Sequence, residues 1–261
     1  ARSSSGWRIS WAIASVVFEY GRLGISMAER SRFKRVGYRA LRSLCRLACV
    51  PLFQIRCTGH QHVPATGGVL VCSNHQSFLD PILVGLGFRR HCNYLARETL
   101  FRFGPFGRLI AFVDAIPLDR EGGGLRGLKE TLKRLKRGEM VLIFPEGTRS
   151  PDGEIAKLKP GFLVLARRSG AALLPVAVDG AYDAWPRSAL LPRPGVVRVC
   201  IGEPISPEVA ATMTDEQLLA ELETRIRDCH AVARRQRQGD CPLVLPGRPQ
   251  DLASDQPVLG S

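Results

Sequence analysis

A histidine followed five residues later by an aspartate, in Asn74-His75-Gln76-Ser77-Phe78-Leu79-Asp80, offers a base and an anion able to orient it. Spacing limits how the two can meet. Inside one helix, five steps would set the side chains roughly 140° apart, too divergent to bond. His75 therefore belongs in a turn and Asp80 in the first turn of the helix that follows. There a carboxylate can accept from one ring N–H, fix the tautomer and leave the other nitrogen free to take a proton. Taken alone, the pair reads more readily as a histidine and an aspartate that merely cap a helix.

A second polar turn lies further on, in Phe144-Pro145-Glu146-Gly147-Thr148-Arg149-Ser150. Gly147 lets backbone N–H groups approach a ligand, and the planar fork of Arg149 suits a phosphate. Glu146 is costly in such a turn unless paired, so it is expected to anchor a donor or the loop itself. In isolation this stretch also reads as an ordinary β-turn.

Both turns need strands to deliver them. Gly68-Val69-Leu70-Val71-Cys72 and Met140-Val141-Leu142-Ile143-Phe144 are short apolar runs of the kind expected for buried strands. After the first, Pro81 to Leu86 reads as the opening of a helix, with Ser77 or Asp80 as its cap. Tyr94-Leu95-Ala96 is a further short strand, and residues 97–112 are helical in part, interrupted at Gly104-Pro105-Phe106-Gly107. Residues 113–118 read as a strand. Leu125, Leu128, Leu132 and Leu135 keep helical spacing up to a stop at Gly138. Then come a helix over 161–168 and strands over 173–178 and 196–201. Thr214 with Gln217 forms a capping box for a helix running to about Arg235. Strands alternating with helices predict an α/β fold, a mixed, largely parallel sheet flanked by helices, preceded by an N-terminal amphipathic helical segment.

That segment has its own pattern. Arg32, Arg35, Arg39, Arg42 and Arg46 recur at steps of three and four, one stripe roughly 80° wide on a helix. Phe33, Val36, Ala40, Leu44 and Leu47 take a different face, extended by Leu41 and Ala48, and Pro51 is expected to end or kink the helix. Such a helix either lies in a membrane interface with a cationic flank or presents a solvated charged face. The expected organisation is an amphipathic, membrane-associating segment over 1–57, a catalytic α/β domain over 58–238 and a tail over 239–261. The apolar run from Ile9 to Phe18 could also read as the core of a signal peptide, with Arg2 and Arg8 before it.

With 261 residues and 45% hydrophobic content, the chain can bury one substantial core. Its formal net charge of +13 calls for an anionic partner, nucleic acid or membrane. Zinc-finger spacing, a P-loop and an RNP-like aromatic run are all missing, so nucleic acid is not the expected partner. Eight cysteines without a C-x-x-C pair read as reduced packing residues, not as a metal site or a disulfide framework. No apolar stretch reaches eighteen residues, so the expected membrane association is peripheral or monotopic.

Together, NHQSFLD and FPEGTRS resemble the glycerolipid acyltransferase family, of which 1-acylglycerol-3-phosphate acyltransferases are members. The likeness continues in order through ARETLFRFGPFG at 96–107, IPLDR at 116–120, KPG at 159–161 and LPVAV at 174–178, and covers roughly residues 58–202. Arg97 stands where many relatives carry a lysine, and Gly104-Pro105 aligns poorly with the usual proline. The resemblance implies that His75 and Asp80 are catalytic, and that Asn74, Ser77, Arg97, Glu146, Gly147, Thr148 and Arg149 hold substrate. It implies no cofactor, an acyl-CoA or acyl carrier protein as co-substrate, a lysophospholipid acceptor, and a place on the cytoplasmic face of an anionic membrane. Transfer to another lysophospholipid or to an amino-acid lysolipid is the alternative within the class. A non-catalytic binder of anionic lipid or nucleic acid is the alternative outside it.

Overall fold

The computed structural model describes residues 32–118 and 124–239, apart from the side chains of residues 32, 33 and 35. The apolar run at Ile9–Phe18 and all of the expected tail except Gly239 lie outside the described residues.

The buried runs form the middle of the sheet. β2 (Val69–Ser73) and β5 (Met140–Ile143) are buried at every position and pair in parallel, Val69 opposite Met140 and Cys72 opposite Ile143. Continuous apolar sequence suits strands covered on both faces. Around them stand β1 (Arg56–Thr58), β3 (Cys92–Arg97), β4 (Ile116–Leu118), β6 (Ala172–Asp179) and β7 (Arg198–Ile201). The order across the seven-stranded sheet is β1-β7-β6-β2-β5-β3-β4, parallel throughout except for β6 with β7.

Alternation along β2 divides the core. Leu70 and Cys72 face a layer containing α4 (Leu125–Lys136), α5 (Leu163–Ser169) and α8 (Asp215–Gln238), represented by Leu135, Leu165, Leu218, Leu222 and Ile226. Val69 and Val71 face the opposite layer, where α1 (Arg32–Phe53) contributes Phe53 and α2 (Asp80–Leu86) contributes Leu83 and Val84. β2 thus leads into a helix on one face and β5 into a helix on the other, and the loops that follow them meet at the carboxyl ends of these two adjacent parallel strands. The capping box at the start of α8 is complete, with Gln217 N donating to Thr214 Oγ1 and Gln217 Oε1 accepting from Thr214 N.

Local expectations fail in three places. Gly104-Pro105 opens α3 (Gly104–Phe112) instead of interrupting a helix, because a first-turn proline gives up an N–H that has no intrahelical partner. The strand expected over 113–118 keeps only Ile116–Leu118, since Val113 caps the end of α3 and Asp114 adopts a φ of 57°. The N-cap of α2 is Leu79, and neither Ser77 nor Asp80 caps it; the Asp80 carboxylate turns back onto the preceding loop. α1 runs through Pro51 and stops at Phe53.

α1 is amphipathic in an unusual sense. Its packed face is partly polar: Lys34 pairs with Asp114 at 3.2 Å, Tyr38 stacks near His91, and Gly37 lies so close to the Phe112 ring that a Cβ would clash. Arg42, expected in the outward stripe, donates instead to the carbonyls of Leu86 and Arg89 at the end of α2. Val36, Ala40, Leu44, Leu47 and Ala48 are exposed, together with Arg39 and Arg46.

Candidate active site

Where β2 and β5 end side by side, their loops hold each other through backbone groups. His75 N donates to Glu146 Oε1 at 2.7 Å, and His75 O accepts from Ser150 N at 2.7 Å. The other Glu146 oxygen accepts from Ala156 N. Burial pushes the Glu146 carboxyl above its ordinary range, and these two N–H donors oppose the shift. Glu146 therefore ties the two loops together and is itself hidden from solvent.

The His75 ring lies flat on Phe144, centroids 3.9 Å apart, and Nδ1 is 2.8 Å from Asp80 Oδ2. The same Asp80 oxygen accepts from Gln76 N at 2.6 Å and Ser77 N at 2.7 Å. An oxygen engaged this way is an acceptor, so His75 Nδ1 carries the proton and Nε2 presents its lone pair. The five-residue spacing matters because the chain loops once between the two groups, aiming three N–H bonds at one carboxylate.

Beside this pair stands a group of positive charges. Arg149 Cζ sits 3.4 Å above the Phe78 ring, whose own neighbour is Trp185. Arg149 Nη1 is buried and has no hydrogen-bond partner. Its guanidinium is held below its usual pKa by burial first, then by the positive charges of Arg187 and Arg97, against the opposing pull of Asp80. Arg97 ends β3, the strand on the other side of β5. At Gly147, φ is 75° and a Cβ would stand 3.1 Å from Lys159 Nζ. The positive charges of Arg187 and Arg97 repel that of Arg149, and an anion placed among them would relieve that repulsion.

The expected substrate contacts therefore divide. Arg97 and Arg149 are among these positive charges, Gly147 lies beside Lys159, and Thr148 is exposed. Asn74 and Ser77 have their polar atoms committed to the fold. Asn74 Nδ2 donates to Val178 O at 2.9 Å while its Oδ1 accepts from Val178 N at 2.8 Å, and Ser77 Oγ donates to Trp185 O. Breaking the Asn74 clamp leaves two buried backbone groups of β6 unpaired, so Asn74→Ala should cost about 2–4 kcal/mol. Thermal unfolding should show a Tm lower by about 5–15 °C. An unchanged Tm with lost activity would instead make Asn74 a substrate ligand.

Several contributors were not singled out from sequence. Lys159 was quotable from its KPG motif, whereas Arg187 lies in a stretch with no motif signal. Behind the loop, Gln76 Nε2 donates to Gly153 O at 2.6 Å and lies 3.3 Å from His230 Nε2. His230 in turn lies 3.3 Å from Asp179. Burial would raise the Asp179 carboxyl, but the His230 hydrogen bond and the Arg237 charge outweigh it and hold the group below its ordinary range. A cavity of about 300 Å³ beyond Gln76 is walled by Asp152, Glu154, Asp179 and Asp183 with Arg234 and Arg237. Its carboxylates make it a poor phosphate site.

Comparison with known proteins bears on the family and the fold. A family model described as Acyltransferase matches residues 54–179. The chain is 32% identical over 178 residues to a 1-acyl-sn-glycerol-3-phosphate acyltransferase of Bacillus subtilis, covering 64% of this chain and 86% of that one. It is 31% identical over 223 residues to a 1-acyl-sn-glycerol-3-phosphate acyltransferase of Pseudomonas aeruginosa, covering 82% and 83%. Among solved structures, the 1-acyl-sn-glycerophosphate (LPA) acyltransferase PlsC of Thermotoga maritima superposes with a TM-score of 0.66 at 26% identity, over 88% of both chains.

Proposed function

We infer the reaction from one premise: the chain belongs to the acyltransferase family that includes the 1-acylglycerol-3-phosphate acyltransferases. It is an enzyme of acyl transfer, and the non-catalytic reading that charge alone allowed is set aside. The reaction inferred for it moves a fatty acyl group from a thioester, acyl-CoA or acyl carrier protein, to the free hydroxyl of 1-acylglycerol-3-phosphate, giving phosphatidic acid. The observation that carries this reading is a histidine oriented through Nδ1 by a buried carboxylate, near an arginine, Arg149, that feels the positive charges of Arg187 and Arg97.

A thioester is already activated, so the enzyme needs no nucleophile of its own. His75 Nε2 takes the proton from the acceptor hydroxyl as its oxygen attacks the thioester carbonyl. Asp80 holds the ring and stabilises the imidazolium that forms. When the tetrahedral intermediate collapses, the C–S bond breaks and the imidazolium returns its proton to the departing thiolate. Arg149, with Arg97, Arg187 and Lys159 around it, holds the acceptor's phosphate and so places the hydroxyl near His75.

The test is the purified chain with oleoyl-CoA and a panel of lysolipids, reading free thiol and acylated product together. Selective turnover of lysophosphatidate supports the reading. Preference for a lysolipid with a larger headgroup, or for an amino-acid lysolipid, overturns the acceptor assignment. Arg149→Ala should cost about 1.5–3 kcal/mol in kcat/KM for lysophosphatidate, and Arg149→Lys should recover only part, since an ammonium cannot form the bidentate fork. An equal loss with monoacylglycerol would make Arg149 structural.

The acceptor and product are lipids, and no helix among the described residues is long and apolar enough to cross a membrane. In this reading the chain meets them by lying on the cytoplasmic leaflet. The outward apolar face of α1, flanked by Arg39 and Arg46, suits an anionic interface. Replacing Arg39 and Arg46 with Glu should weaken sedimentation with anionic vesicles, each arginine contributing about 1 kcal/mol near the surface. Wild-type binding should fall with added salt. Vesicle binding unchanged in the double variant would assign this face to another role.

A further inference from the structure

α1, with Leu47 at 76% exposure, is not the only place where large apolar side chains face outward among the described residues. Leu190, at 93% exposure, exceeds every other, and its neighbour Leu191, at 76%, equals Leu47; both lie on the connection between α6 (Ala181–Ala184) and β7. A solvent-facing leucine pair is ordinary on a loose loop, but this connection is pinned along its length. Trp185 Nε1 donates to Ala189 O at 3.0 Å, Ala189 N to Pro186 O, and Arg193 N to Ala184 O at 2.7 Å. Pro186, Pro192 and Pro194 reduce its backbone freedom further. The loop thus presents two leucines at a fixed place, with the exposed Arg187 and Arg193 on either side.

Two attachments decide what it faces. Ser77 Oγ donates to Trp185 O at 2.9 Å, and the Trp185 ring packs on Phe78 beneath Arg149, so the loop starts at the wall of the proposed phosphate site. Gly195 N donates to Leu52 O at 3.2 Å, so the loop ends against the last turn of α1, where Val50 and Leu52 continue the exposed apolar surface. We propose that the Leu190–Leu191 loop is a second point of membrane insertion, with both leucines entering the acyl region of an anionic bilayer and Arg187 and Arg193 meeting its headgroups. The apolar pair flanked by cations matches an interface of that composition, and a prepositioned pair loses little entropy on insertion. Insertion here sets the mouth of the proposed phosphate site at headgroup depth, where an acceptor phosphate lies.

The experiment compares the full chain with the double variant Leu190→Asp, Leu191→Asp. It reads sedimentation with vesicles of equal parts phosphatidylcholine and phosphatidylglycerol, thermal unfolding, and oligomeric state by light scattering. Vesicle affinity should fall by at least about tenfold, as losing two buried leucines implies, with Tm and oligomeric state unchanged. Turnover of a short-chain lysophosphatidate dispersed as monomers should also be unchanged, because neither leucine touches the reacting groups. Wild-type vesicle affinity in the variant overturns the proposal. A lowered Tm overturns it in favour of a face that packs against this chain's own residues, and a loss of dimer in favour of a second copy. Vesicle binding requires no catalysis, so failure here is distinguishable from failure of the acyl-transfer reading.

Discussion

His75→Ala should lower turnover by about 10²–10⁴-fold or more with the fold retained, the contribution expected of a positioned general base. Retention of the fold follows from how the residue is held. The bonds that fix its place, to Glu146 and from Ser150, are made by backbone atoms that alanine keeps. The substitution removes the ring and with it the stacking on Phe144. Thiol release with saturating oleoyl-CoA and lysophosphatidate measures the loss, and a KM near wild type would place it in the chemical step. Near wild-type thiol release from a folded His75→Ala preparation rules out the mechanism. Glu146→Gln separates tethering from chemistry: it keeps one acceptor for the backbone donors, so its effect should be far smaller than that of His75→Ala.

What could be read from sequence followed from how local each cause is. β2 and β5 are legible because a strand buried on both faces has no choice but apolar residues, and α8 because its capping box is written in four consecutive positions. The boundaries around Gly104-Pro105 were misjudged because the same dipeptide can end one helix or begin the next. What decides is which N–H groups need partners. In α1 the arginine periodicity was visible, but the destination of Arg42 was not. The carbonyls of Leu86 and Arg89 that it meets lie more than forty residues away in sequence.

The site follows the same rule. The resemblance drew attention to Asn74 and Ser77 as neighbours of His75, yet proximity in sequence says nothing about which way a side chain turns. Asn74 pairs with Val178 because β2 and β6 are adjacent in parallel register, a fact of the sheet and not of the loop. Arg187 could not be singled out because its charge acts through space on Arg149, far away in sequence, a relation that no spacing encodes. Arg149 was legible because its turn combines a glycine with a planar cation.

Asp80→Asn carries the second large expected effect, and its cause differs from that of His75→Ala. One Asp80 oxygen receives the His75 Nδ1–H and two backbone N–H groups, and the side chain is fully buried. An amide can keep at most part of this arrangement. If its oxygen stays on the Gln76 and Ser77 donors, no negative charge remains to stabilise the imidazolium. If its NH₂ turns toward His75, it donates to Nδ1, and the ring must then carry its proton on Nε2, where it cannot act as a base. Either outcome should lower kcat by about 10²–10⁴-fold. Losing charge-assisted bonds to the loop should also cost about 1–3 kcal/mol of stability. The two effects are read separately, kcat from thiol release and stability from thermal unfolding. Asp80→Ala provides the control, since it removes the donor NH₂ as well as the charge and leaves the His75 tautomer free. If tautomer control dominates, Asp80→Ala should be less impaired in kcat than Asp80→Asn, although less stable. If Asp80→Asn retains near wild-type kcat, Asp80 only supports the loop and His75 needs no carboxylate to act.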